Sequence, residues 1–363
     1  MHSKLYILLV ALLVLFIIPV SATPLYPHVG YDNGFRNYVP HAGTTANKTE
    51  WIIQVSNAGD GYYITVGSDG TIYLLGQKYV SIGNTSYANI SLYAIKDGKV
   101  KWERYFGALD AEASNLIMSS DETLYAIIVF YYDNIIKVYA FNKDGVSKWN
   151  QSIPSAYAES LTSMAYLSLV VNGDLMIAPY EENKIYVIGS DGSLKNTITI
   201  SGVVGIGSIS ASSDTIYLSA YDSNYNPWIY ALTLNGEIKW TYQFPAGEIT
   251  LTSIYIAYPP VVAPDGSIYF ESRTSKDLYL CALNPDGSLK WKKTVTGSYL
   301  ESIVISSDTI YVTIHEGYLL AFNFDGSLKW NYTFEGNPLL PLVVPALDSN
   351  GIIYLPTYSS SSI

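Results

Sequence analysis

The sequence predicts an all-β chain folded as one seven-bladed β-propeller of four-stranded antiparallel blades. Three observations predict it. A short block of residues recurs about every 40–50 positions, the interval at which propeller blades repeat. The 363-residue chain is rich in residues that favour strands, tyrosine alone occurring 34 times. Asp-Gly and Asn-Gly pairs, which supply the positive φ of tight hairpins, punctuate the chain between apolar runs.

Residues 1–22 read as a signal peptide. Lys4 gives a positive n-region, Leu5 to Ile18 an apolar run of 14 residues, Pro19 a break, and Val20-Ser21-Ala22 a small-residue cleavage site. The run is short for a membrane span. No Cys follows it, so no lipid-modified cysteine is expected there, and the mature chain is expected to be secreted or held at the cell surface by partners. Residues 23–50 form an N-terminal extension, and 51–363 the propeller.

Each repeat reads as a strand of the form Ile-Tyr, a strand of the form Leu-Tyr-Ala, a turn, and a strand ending in Lys-Trp. Tyr73, Tyr93, Asp97-Gly98 and Trp102 mark the first copy. Tyr125, Tyr139, Asp144-Gly145 and Trp149 mark the second. Met176, Tyr186 and Asp191-Gly192 mark the third, which carries Asn196 where a Trp is expected. The fourth, fifth and sixth end at Trp240, Trp291 and Trp330, after Asn235-Gly236, Asp286-Gly287 and Asp325-Gly326. A single blade cannot bury both faces, so each is expected to seal its neighbour, with the Trp between sheets. A last half copy, Ile352-Ile353-Tyr354, lacks its Trp strand, while Trp51-Ile52-Ile53-Gln54-Val55 is a Trp strand without a preceding copy. Joining the two closes the ring and removes an exposed edge. Eight blades is the alternative, if residues 24–50 contribute further strands.

The segment from Asp265 to Trp291, DGSIYF…LYLCALNPDGSLKW, resembles the repeat of pyrroloquinoline quinone (PQQ)-type propellers. That repeat occurs in quinoprotein alcohol dehydrogenases and in the propeller lipoprotein of outer-membrane assembly. The resemblance runs from Trp51 to Tyr358 and implies the fold, not an activity. The dehydrogenases use a vicinal cysteine pair beside the cofactor. This chain has only Cys281, so PQQ-dependent catalysis is not expected and the non-enzymatic branch is the nearer one.

The formal net charge of −11, with no Lys/Arg cluster, argues against nucleic-acid binding. One cysteine excludes an internal disulfide. Sequons at Asn47, Asn84, Asn89, Asn150 and Asn331 are glycosylation sites only in a host that glycosylates exported proteins.

The turns joining first to second and third to fourth strands share one face of a blade and are uniform, so that face is expected to be structural. The opposite face carries loops of varying length, where function resides. Those loops hold Tyr131, Tyr132, Asp133, Tyr180, Glu181, Glu182, Tyr221, Asp222, Tyr225, Trp228, Glu271, Arg273, His315 and Glu316. Tyr beside carboxylates suits recognition of a protein or a glycan. Glu112, Glu159, Glu248 and Glu301 fall just before inner strands, toward the mouth of a central channel. Such oxygens suit Ca²⁺, but their offsets from the following turn differ, and hydrated carboxylates with no metal and no cofactor are the expectation. Asp222-Ser223-Asn224-Tyr225-Asn226 spaces its oxygens like a calcium loop but has Pro227 where such a loop needs Gly, so a turn is the better reading. No zinc spacing, nucleophile elbow or phosphate loop occurs. The expectation is a non-catalytic protein- or glycan-binding scaffold. The alternatives are a carbohydrate-active hydrolase or lyase using the channel-mouth carboxylates, and a surface-layer or filament subunit built on the open last blade.

Overall fold

A computed structural model of the chain describes residues 13–15, 38–39, 51–53, 55–56, 61–83, 85–130, 132–155, 168–179, 181–248, 259–298, 300–333, 346–347 and 353–354. Tyr131, Tyr180, Glu159, Asn47 and Asn84 lie outside them, as do the side chain of Trp51 and most of the leader.

Six four-stranded antiparallel sheets follow one another along the chain, as in a propeller. The first comprises Gly61–Val66, Ile72–Ile82, Thr85–Lys96 and Lys99–Leu109. The second runs from Ala111–Met118 through Leu124–Phe130 and Ile135–Phe141 to Ser147–Pro154. The third holds Ser168–Val171, Asp174–Ile177, Lys184–Ile188 and Leu194–Thr199, and the fourth Gly205–Ala211, Thr215–Tyr221, Pro227–Thr233 and Ile238–Gln243. The fifth comprises Val261–Val262, Ile268–Arg273, Leu278–Leu283 and Leu289–Val295, and the sixth Leu300–Ser306, Ile310–Ile314, Tyr318–Phe322 and Leu328–Thr333. Within each sheet the strands neighbour one another in chain order, so the connections are hairpins. Among the described residues there is no helix, and none long and apolar enough to cross a membrane.

One row of side chains repeats in five of the six sheets. Tyr73, Ala94 and Trp102 stand opposite one another on the second, third and fourth strands of the first sheet. The same register aligns Tyr125–Ala140–Trp149, Tyr217–Ala231–Trp240, Tyr269–Ala282–Trp291 and Tyr311–Ala321–Trp330. Second and fourth strands are separated by two inter-strand spacings, about 9.6 Å. The Tyr and Trp rings nevertheless approach to centroid distances of 5.6–6.0 Å. They do so by leaning over the alanine, which is why the middle residue is small and fully buried. Next to each alanine's partner the outer strand carries one extra residue, the lysine before the Trp, a bulge that bends that strand.

The Trp then reaches that next sheet. Trp102 Nε1 donates to the Lys143 carbonyl at 3.1 Å, Trp149 to Ser190 at 2.8 Å, Trp240 to Pro285 at 2.9 Å and Trp291 to Phe324 at 2.9 Å. All four acceptors lie in the third-to-fourth turn of the following sheet. The glycine of that turn has positive φ, as at Gly287 (84°), and no room above it: a Cβ there would stand 2.5 Å from the Trp240 ring. The third sheet departs from this rule. Met176, Val187 and Asn196 fill its row, and Ile198 sits against Gly236 of the fourth sheet instead.

The described strands also show what the ends of the chain do. Trp51–Ile53 pairs antiparallel with Leu13–Leu15, inside the expected leader, and Ala346–Leu347 pairs antiparallel with Ile353–Tyr354. Tyr38–Val39, in the expected extension, adds as a parallel fifth strand beside Ile305 and Ser306 of the sixth sheet.

Substitution at the docking turns tests the arrangement. Gly173→Ala, at a positive φ with open space above it, is expected to cost about 1–2 kcal/mol of backbone strain. Gly287→Ala, at a similar φ, must also unseat Trp240, and is expected to cost about 2 kcal/mol more. Denaturant midpoints of the two variants measure the difference; equal losses would mean that the ring is not seated.

Candidate functional site

In an antiparallel sheet of four hairpin-connected strands, the first-to-second and third-to-fourth turns lie at one end. The second-to-third turn and the links between sheets lie at the other. The first end is occupied by the repeat itself. Besides the seated tryptophans, the lysine preceding the Trp position in the second to sixth sheets returns to the first turn of its own sheet, and in the first sheet Lys96 meets Asp69 at 3.2 Å instead. Lys148 meets Asp121 at 3.7 Å, Lys195 meets Asp174 at 2.6 Å, Lys239 meets Asp214 at 2.9 Å, Lys290 meets Asp265 at 3.3 Å and Lys329 meets Asp308 at 3.0 Å. These exposed pairs contribute less than about 1 kcal/mol each. Their regularity nonetheless marks this end as framework.

The opposite end does not repeat, and the remaining predicted residues fall there. In the second sheet's hairpin Tyr132 is 76% exposed, with Asp133 exposed beside it. In the fourth sheet Tyr221 stacks on Tyr225 with centroids 5.7 Å apart, and Tyr225 is 70% exposed. Asp222 is spent inside this loop. Its carboxylate accepts from the backbone amides of Asn224 and Asn226, from Asn226 Nδ2, and from Trp228 Nε1 at 3.2 Å. The Asn226 side chain, with these other donors, holds the Asp222 carboxyl down at about 2. The segment is thus a self-satisfied Asx turn presenting tyrosine. Glu181 has a positive φ of 54°, and Glu182 is buried, its carbonyl accepting from the Ile206 amide at 3.1 Å.

Three of the four carboxylates expected at a channel mouth lie among the described residues, in different settings. Glu112 and Glu301 lie within inner strands rather than before them. Glu112 accepts from the Tyr79 hydroxyl of the first sheet. Glu248, in the link before the fifth sheet, accepts from Ser272 Oγ at 2.6 Å and meets Lys292 Nζ at 2.5 Å, the ammonium lying 3.7 Å over the Tyr279 ring. Among the described residues no group of three or more His, Cys, Asp or Glu is arranged to hold a metal ion. Cys281 is a buried free thiol whose pKa burial pushes up to about 12.

Residues assigned to two different regions by the sequence come together between the fifth and sixth sheets. Glu301 is the extra residue of a bulge between Leu300 and Ser302, which turns its carboxylate to His315 Nδ1 at 2.6 Å. Glu316, beside it, accepts from the Ser298 amide at 2.8 Å. Facing them are Glu271 and Arg273 on the fifth sheet's second strand. Glu271 and Glu301 are each 4% exposed. Gln77, Tyr79, Ser272 and Lys292 join this end without having been singled out from the sequence. A position four residues past the repeat tyrosine, on the strand face that meets the next sheet, is the signal that finds Gln77, whose Oε1 accepts from the Ala113 amide at 2.9 Å.

Of the sequons, Asn150 and Asn331 lie on exposed outer strands. Asn89 lies within Thr85–Lys96, accepting from the Tyr105 hydroxyl at 2.9 Å.

A family model described as outer membrane protein assembly factor BamB matches residues 44–281 and, overlapping, 228–360. Among solved structures, the chain is similar to Raptor of Chaetomium thermophilum, with a TM-score of 0.52 and 12% identity over 80% of this chain and 26% of that one. BamB from Moraxella catarrhalis aligns with a TM-score of 0.40 and 12% identity, covering 77% of this chain and 98% of that chain. A protein of unknown function from Bacteroides caccae aligns at 0.41 and 13%, covering 70% and 92%. The chain spans about a quarter of the Raptor chain, and at such identity that likeness speaks to fold alone. No curated protein matches the sequence.

The Asx turn carries a pH prediction. A carboxyl held below its ordinary value stabilises above that value and loses the contribution as pH falls through its folded pKa. The Asp222 turn is therefore expected to stay closed at pH 4 and open as pH falls through about 2. Trp228 fluorescence should report this as a change between pH 4 and 2 that Asp222→Asn abolishes; an unchanged titration in that variant would contradict it.

Proposed function

Because the chain belongs to the PQQ-like propeller family described as outer membrane protein assembly factor BamB, we propose that it is an exported, non-catalytic scaffold. In this reading it binds a protein or a glycan at the cell surface through the end of the sheets that carries the second-to-third loops. One observation carries the reading. The framework end is consumed by Trp seating and Lys–Asp pairs, whereas the other end presents non-repeating loops with exposed Tyr132 and Tyr225. Exposed tyrosines on rigid hairpins offer large contact area at low entropic cost.

The same reading takes residues 1–22 as a cleaved leader and the ring as seven blades. Loss of the leader removes the Leu13–Leu15 strand and frees Trp51–Ile53 to join the last blade with Ala346–Leu347 and Ile353–Tyr354. Support comes from the residues just after that strand. Val55 is buried against Ile72, Leu74, Tyr93 and Ile95, and Ser56 Oγ is 3.1 Å from the Tyr93 hydroxyl. These side chains line the face of the first sheet turned away from the second, where a preceding blade would stand.

Two measurements test the proposal. Binding of the mature chain to arrays of extracellular proteins and glycans is expected to fall at least about tenfold in a Tyr132→Ala/Tyr225→Ala variant, a loss of about 1.4 kcal/mol. It should survive Lys239→Ala on the framework end. The reverse pattern would place the binding face on the wrong side. For closure, Trp51→Ala should lower the thermal midpoint of the leaderless chain; an unchanged midpoint would leave that strand outside the ring.

A further inference from the structure

Two residues past the repeat tyrosine, the second strand carries Leu75, Ile127, Ser219 and Thr313 in the first, second, fourth and sixth sheets. The third sheet has Ala178 two past Met176. In the fifth sheet the same place holds Glu271, on the strand face that meets the sixth sheet, in line with Tyr269. The hydroxyl of Thr313 is satisfied there by Ser302 Oγ at 2.6 Å. Glu271 has no such partner: neither carboxyl oxygen makes a hydrogen bond of normal geometry, and Arg273 Nε is likewise unbonded. A carboxylate removed from water without hydrogen bonds costs several kcal/mol, which the chain avoids by keeping the proton.

The surroundings decide which way the group leans. On its own strand Arg273 favours the charged form, and across the joint the Leu300 amide points the same way. Against them stand burial and Glu301, which is held by His315 on the sixth sheet. Cys281, on the adjacent third strand, is a buried thiol and carries no charge that could help. Burial is the largest effect, so the Glu271 carboxyl titrates well above the usual carboxylate range. Ionising it leaves a charge in the seam with one imperfectly placed guanidinium and one neighbouring carboxylate.

We propose that the joint between the fifth and sixth sheets is locked by acid: it is tight while Glu271 is an uncharged carboxylic acid and loosens when Glu271 gives up its proton. The sign follows from linkage. A group that holds its proton more tightly folded than unfolded contributes fully below the ordinary glutamate range and loses that contribution as pH rises through its folded value. The joint therefore weakens on the alkaline side, while the other joints, which carry apolar, alanine or hydroxyl residues at this position, do not. The proposal is independent of what the binding face recognises.

Amide hydrogen exchange of the full chain at pH 5, 6.5 and 8, corrected for intrinsic rates, tests it. Peptides covering 268–273 and 300–306 are expected to lose protection with rising pH, by up to about tenfold per pH unit above the ordinary glutamate range and levelling off once the folded value is passed. Peptides covering 124–130, in the second sheet, should hold theirs. Glu271→Gln is expected to abolish the pH dependence and to raise the thermal midpoint at pH 8 but not at pH 5. His315→Gln controls for the imidazole bonded to Glu301. Equal protection of the seam at pH 5 and pH 8 in the unaltered chain would overturn the proposal, even if the variants failed to fold. So would a pH dependence that Glu271→Gln leaves in place and His315→Gln removes.

Discussion

A tryptophan ring resting on the glycine of the next sheet's turn is the contact on which the rest of the architecture depends. It requires an alanine beneath the ring, so that Tyr and Trp can close over it. It also requires a bulge just before the Trp, which bends the outer strand, and a residue of positive φ without a side chain to receive the indole. These conditions lie on three strands of one sheet and one turn of the next, so each sheet is specified partly by its neighbour. That is how a chain without disulfides and with short strands obtains cooperativity: stability resides in nearest-neighbour interfaces as much as in single units.

The same contact divides the molecule into two unlike ends. Where the indoles dock, side chains are committed to the framework, down to the lysines that return to their own first turns. At the other end nothing in the repeat prescribes the side chain, and there the sheets differ from one another. One presents Tyr132, another stacks Tyr221 on Tyr225 above an Asx turn, and the fifth and sixth share Glu271, Arg273, Glu301 and His315. The chain's family, described as outer membrane protein assembly factor BamB, accounts for the repeat, and a fold does not by itself prescribe what such an end does.

The framework is legible in the sequence because its determinants are local. Asp-Gly turns, the Tyr and Ala positions and Lys-Trp recur within each unit, and even the missing tryptophan at Asn196 is visible as a doubled interval. The joint of Glu271 with Glu301 is less legible. Sequence order assigns the first to a variable loop and the second to the approach to an inner strand. They meet because two adjacent sheets stack face to face and because a bulge at Glu301 re-aims one side chain. Bulges of this kind also occur at Ala113/Asn115 and Ile206/Ser208, yet the residues they free are Ser114 and Gly207, so the spacing alone does not reveal a polar cluster. The pairing of Trp51–Ile53 with Leu13–Leu15 is not legible either, because the Leu13–Leu15 segment stands outside the repeat.

The third sheet, with Asn196 in place of an indole, gives the array one junction of a different kind. Its seal against the fourth sheet is aliphatic, Ile198 against Gly236, and lacks both the ring contact and the carbonyl hydrogen bond found where the first, second, fourth and fifth sheets meet their successors. Parting the third sheet from the fourth therefore releases no indole, whereas each of those four junctions must unseat one; what holds residues up to about 200 to those beyond is the shared aliphatic core.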